Sequence, residues 1–198
     1  MKARSYRSVL AVGFRHYTES FRKFFKASWI TALVLAVLYG IMGALALIRF
    51  PDTLLALLLL AVMPLVLPCL YAVIRRLLRL HRDYWTAQRG NFKARLRHCG
   101  LILLVLFTSA LVVLLTSSII LIPAGILCLA NLSALQGMLM GDPSGMPSYM
   151  TGMTFFTFVL TAFMQFYVSQ VMLVHHYFAC GSIDAKEEDR KKHQMSIE

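Results

Sequence analysis

Five histidines, His16, His81, His98, His175 and His176, stand at the edges of long apolar runs in a chain of 198 residues. Imidazole is a common metal ligand and the side chain that titrates nearest neutral pH, so histidines gathered at one level would suit a metal or a haem. None shares a short ligand spacing with another, and residues at the rim of an amphipathic helix account for them equally well. Met138, Met140, Met146, Met150 and Met153 form a second cluster. Thioethers suit Cu(I), but the stretch holds no His or Cys, and methionine fills irregular apolar gaps.

The nucleophiles give less. Thr108-Ser109 and Thr116-Ser117-Ser118 have no base or acid nearby, and hydroxyls in an apolar helix bond back to its carbonyls. The sequence contains no G-x-S-x-G, H-E-x-x-H or G-x-x-x-x-G-K-[ST] pattern. Cys69, Cys99, Cys128 and Cys180 form no C-x-x-C pair, so they read as free thiols and not as a disulfide framework or a zinc set. Asn131, Gln136, Gln165 and Gln170 suit hydrogen bonding between helices. The expectation is a protein with no catalytic residue, cofactor or metal.

The elements that carry these residues are apolar. The chain is 59% hydrophobic and 15% charged, with a mean hydropathy of +0.68; a soluble domain is about 45–50% apolar and about 25% charged. Four segments long enough to cross a bilayer, which takes about 20 residues each, lie at about 29–48, 53–74, 100–122 and 151–174. None has a charged residue or a histidine in its interior, which speaks against a proton relay. Trp29 stands where an indole favours the membrane interface. On the first span Ser28, Ala32, Ala36, Gly40 and Ala44 recur every fourth residue, a stripe that lets another helix approach closely. Pro64 and Pro68 predict a kink in the second span. Pro123, in Pro123-Ala124-Gly125, predicts the end of the third, which leaves 126–140 as a short outer-leaflet or re-entrant helix.

The charge lies outside these spans. Segment 4–26 sets Tyr6, Val9, Leu10, Gly13, Phe14, Tyr17, Phe21, Phe24 and Phe25 at helical spacing, with Arg22, Lys23 and Lys26 among its basic residues. That is the pattern of an amphipathic helix lying in the interface. Segment 75–97 repeats the theme with Arg75, Arg76, Arg79, Arg82, Lys93, Arg95 and Arg97, broken at Arg89-Gly90-Asn91. These cations would meet anionic lipid headgroups, so the net charge of +11 implies no nucleic acid. With the N-terminus inside and four spans, the inner segments 1–28, 75–99 and 175–198 hold 19 of the 20 Lys and Arg and the outer ones hold Arg49, as the positive-inside rule requires. The expected domain is 1–180, and the polar tail 181–198 reads as solvated and partly disordered.

From Ser8-Val9-Leu10 through Phe24-Phe25 to Leu38, the chain resembles a group of uncharacterised bacterial multi-span inner-membrane proteins, themselves similar to the membrane domain of some glycerophosphodiester phosphodiesterases. An aromatic and basic leader, a basic loop between spans and a Pro-Gly break carry the likeness. It implies an all-α polytopic bundle of the inner membrane; the phosphodiesterase activity is not carried over, because the likeness covers the membrane part alone. The expected role is a scaffold or accessory subunit that contacts lipid and packs against a partner membrane protein or a copy of itself; the alternative is a small transporter or lipid-handling protein.

Overall fold

A computed structural model describes residues 5–48, 53–77, 96–141 and 147–195. The described residues form four helices and no strand: α1 (Tyr6–Ile48), α2 (Thr53–Leu77), α3 (Cys99–Leu139) and α4 (Met150–Met195). Three of them, α1, α3 and α4, are long and apolar enough to cross a membrane. At 1.5 Å per residue, α1, α3 and α4, of 43, 41 and 46 residues, run about 65, 62 and 69 Å, roughly twice the 30 Å of bilayer hydrocarbon. Each therefore carries more helix than a crossing needs.

Three expectations change. The leader is not a separate interfacial helix: α1 starts at Ser5, whose carbonyl accepts the Val9 N–H at 3.0 Å, and continues unbroken into the first span. No proline or exposed glycine interrupts Lys26-Ala27-Ser28-Trp29, so nothing favours a turn. Segment 126–140 is not a separate or re-entrant helix either, because α3 passes through Pro123 to Leu139. Its buried face explains why: Val105, Ser109, Val113, Ser117, Ala124, Cys128 and Asn131 keep a three- and four-residue rhythm across the proline. The helix stops instead at Gly141, whose φ of 90° is a left-handed closing conformation natural to glycine. The polar tail, finally, is helical to Met195, with Ser182, Ile183 and Ala185 buried. The basic segment from residue 78 to 95 and the turn at 49–52 lie outside the described residues.

The chain divides into two compact units, 1–27 with 72–113 and 170–198, and 28–71 with 114–169. In the first, Tyr17 and Phe24 of α1 pack with Val171 and Val174 of α4. Val9, Val105 and Ala179 join α1, α3 and α4 in another cluster. The Tyr6 hydroxyl is hydrogen-bonded to that of Thr108. In the second, Gly40 faces Phe155 and Val159, and Gly43 faces the ring of Phe158. The rings of Tyr71 and Phe166 meet edge to face at 4.7 Å. Packing there rests on small residues of α1 receiving large ones of α4, the arrangement that suits apolar surroundings where close van der Waals contact replaces the hydrophobic drive.

Candidate functional site

The small-residue stripe of α1 is occupied within the chain. Ser28, Ala32, Ala36, Gly40 and Ala44 are all buried; at Gly40 a Cβ would meet Val159 and the main chain of Phe155. The stripe thus seats α4 and leaves no surface for a second molecule. Pro64 is buried, Pro68 half-buried and Pro123 exposed, each inside a helix.

The second unit holds a set of buried polar side chains. Gln165 Nε2 donates to Ser117 Oγ at 2.6 Å, and Thr154, Thr161, Ser169 and Asn131 are also buried. Most are satisfied locally: Asn131 Nδ2 donates to the Leu127 carbonyl at 2.9 Å, Thr154 Oγ1 to Met150 at 2.9 Å and Ser169 Oγ to Phe166 at 2.8 Å. Gln165 Oε1 is different, for it has no partner among the described residues. A buried amide with one half unpaired costs roughly 1–3 kcal/mol, more than ordinary helix packing needs to tolerate.

The first unit carries the histidines. His175 is buried against Gly13, where a Cβ would overlap its ring. Burial holds this imidazole below its usual range, and the nearby Leu10 carbonyl opposes that only in part. His16 stacks edge-on against Phe178 at 5.3 Å, and His176 Nε2 lies 3.6 Å from Cys180 Sγ. Glu187, 14% exposed, receives Arg97 at 3.5 Å, His98 at 3.3 Å and Arg190 at 3.9 Å. Three partners on one carboxylate, two of them arginines, tie the start of α3 to the end of α4. Among the described residues no three of His, Cys, Asp and Glu converge as metal ligands.

The residues expected at lipid headgroups separate. Arg22, Lys23 and Lys26 are exposed on α1, beside exposed Phe14, Phe21 and Phe25. Arg97 is half-exposed but engaged by Glu187. Arg75 is a correction: it is 6% exposed, inside the unit instead of at a lipid surface, because it lies past the apolar stretch of α2 where that helix joins the first unit. Arg79, Arg82, Lys93, Arg95 and the side chain of Arg76 lie outside the described residues. Sequence reasoning did not find the Gly13–His175 contact, the Gln165–Ser117 bond or the Glu187 node. Only the first left a trace, a glycine in line with Val9 and Tyr17 on an otherwise bulky face.

The fold and site define an all-helical protein with three long apolar helices, compatible with crossing a membrane. No protein-family model, curated protein or solved structure matches the chain.

Proposed function

We propose that the chain is an integral protein of the inner membrane that crosses it four times with both termini in the cytoplasm. In this reading it works as a scaffold or accessory subunit, without chemistry of its own. One observation carries the reading. The second unit is defined by packing alone, yet its helical parts, 28–48, 53–71, 114–139 and 150–169, contain no charged residue, and each is close to the length of one crossing. The first unit holds 19 of the 20 Lys and Arg, as a cytoplasmic side should. The third crossing accordingly shifts from 100–122 to 114–139, and 126–139 becomes its outer half.

A scaffold role fits because the intramembrane surface offers no acid, base or histidine, while the first unit presents cations beside aromatic side chains. Exposed Arg22, Lys23 and Lys26 would meet anionic headgroups, with Phe14, Phe21 and Phe25 at the same surface. The test is isolation of the tagged full chain from native membranes under mild solubilisation. A stoichiometric partner or self-assembly supports the scaffold, and a strictly monomeric, partner-free protein overturns it.

The unpaired Gln165 amide oxygen favours one second reading, a small transporter or lipid-handling protein in which that acceptor meets a polar group in transit. Purified protein in vesicles should then speed the flip of a fluorescent phospholipid over empty vesicles, and Gln165→Leu should abolish the gain. Equal rates with and without protein exclude lipid flipping.

A further inference from the structure

Among the described residues, His175 alone of the histidines is buried. Along α1 and α4 it falls between two apolar clusters of the first unit, with Tyr17, Phe24 and Val174 on one side and Val9 and Ala179 on the other. Its ring lies where α1 has Gly13, the one residue that leaves room for an imidazole there. The charged and titratable groups around this seam offer no counter-charge. On α1 the Leu10 carbonyl lies near the ring. Tyr17 and His16 are the titratable neighbours on that side, and the His16 ring rests on Phe178 at 5.3 Å. Arg7, Arg15 and Glu19 are exposed, and Glu19 is held by Arg15 at 2.7 Å. From Gly100 to Leu139 α3, which adds Val105 to the seam, has no charged residue or histidine. On α4, His176 lies 3.6 Å from Cys180. The next acids, Asp184 and Glu187, stand about 13 and 18 Å further along the helix, and Glu187 is engaged by Arg97 and His98. The other ionic side chain buried among the described residues is Arg75 at the end of α2, itself a cation.

We propose that His175 is an acid-operated latch: a proton on its ring parts α1 from α4 within the first unit and leaves the second unit folded. An imidazolium has two N–H donors. The Leu10 carbonyl can take one; the other, and the charge, meet no buried carboxylate among the described residues. Water solvates both once the seam opens, whereas a charge kept in an apolar seam is costly. The closed seam therefore refuses a proton that the open one accepts near the ordinary value of about 6.5, and burial holds the closed-state imidazole below that value. Each pH unit below about 6.5 favours opening by about tenfold until the lowered value is reached, and above 6.5 the latch stays shut. Opening frees Val9, Tyr17 and Phe24, the buried face of α1. The latch follows from the first unit alone; the membrane reading above adds that its proton comes from the cytoplasm.

The test is amide hydrogen exchange of the full chain in detergent, with protection corrected for the intrinsic effect of pH on exchange. Segments 9–24 and 171–180 should lose about tenfold in protection for the first pH unit below 6.5, while 150–169 keeps its protection. His175→Gln, which stays neutral, should abolish that pH dependence, and His16→Gln and His98→Gln should retain it. Gly13→Ala, which crowds the notch without adding charge, should loosen the same two segments already at pH 7.5. Protection in the parent protein that does not change between pH 7.5 and 5 overturns the latch. So does an equal loss in both units, or a pH dependence that survives His175→Gln. Loss of the dependence in His98→Gln also overturns it and moves the response to Glu187. In right-side-out vesicles, the same opening driven by external acid alone supports the latch and overturns the cytoplasmic placement of the first unit.

Discussion

A side chain at position 13 has no room: its Cβ would overlap the His175 ring, and that ring is itself buried. Gly13→Ala should therefore destabilise the protein in spite of alanine's higher helix propensity, by about 1–3 kcal/mol as overpacking does, seen as a lower melting temperature in detergent. Substituting His175 by Asn in the same chain should recover part of the loss. The same histidine sets a pH dependence. Burial lowers its folded pKa, so between the ordinary value of about 6.5 and the lowered one the unfolded chain binds a proton that the fold refuses. Stability should be flat above about pH 6.5 from this group and fall as pH drops below it. The slope of melting temperature against pH from 7 to 5 should shrink in His175→Asn; an unchanged slope assigns the dependence to other groups.

At the scale of elements, the continuity of α3 makes Pro123 a lesion in a helix and not its end. Pro123→Ala would restore an N–H able to reach the Ile119 carbonyl. It should leave helix content unchanged and stability equal or higher by about 1 kcal/mol, whereas a genuine break would lose its turn and its stability. Gly141→Ala, at φ 90°, should cost about 1 kcal/mol. The end of α4 makes a parallel case. Glu187→Gln should loosen the segment beyond Gly181, read as faster amide exchange there, because Arg97, His98 and Arg190 lose the carboxylate they share. What the sequence made legible follows from range. The helices and the apolar face of α1 are local, written at three- and four-residue spacing. Where α3 and α4 end was misread because Pro-Gly and a run of charges are local stop signals too, and tertiary packing at Ala124, Cys128, Asn131 and Ile183 outweighs them. The contacts of Gly13 with His175 and of Arg97 with Glu187 join residues 90 or more positions apart, and no spacing announces such pairs.

For the whole molecule, the division into a basic unit and a unit whose helices carry no charge makes a claim about access that the native cysteines can test unaided. Cys99 is exposed in the first unit and Cys180 is buried there; Cys69 is exposed in the second and Cys128 is buried. A membrane-impermeant maleimide needs both contact and a thiolate, and an aliphatic environment supplies neither water nor ionisation. If the second unit lies in the bilayer with the basic unit in the cytoplasm, inside-out vesicles should be labelled at Cys99, and right-side-out vesicles at none of the four. Detergent should add Cys69, whose exposure is then to micelle edge and water, before Cys128 or Cys180, which need unfolding. The pattern separates the alternatives by position. Label at Cys99 from the outside would invert the topology, whereas label at Cys69 in sealed vesicles of either orientation would take the second unit out of the membrane. A protein in which Cys99 alone answers, and from one side alone, holds its basic unit in the cytoplasm.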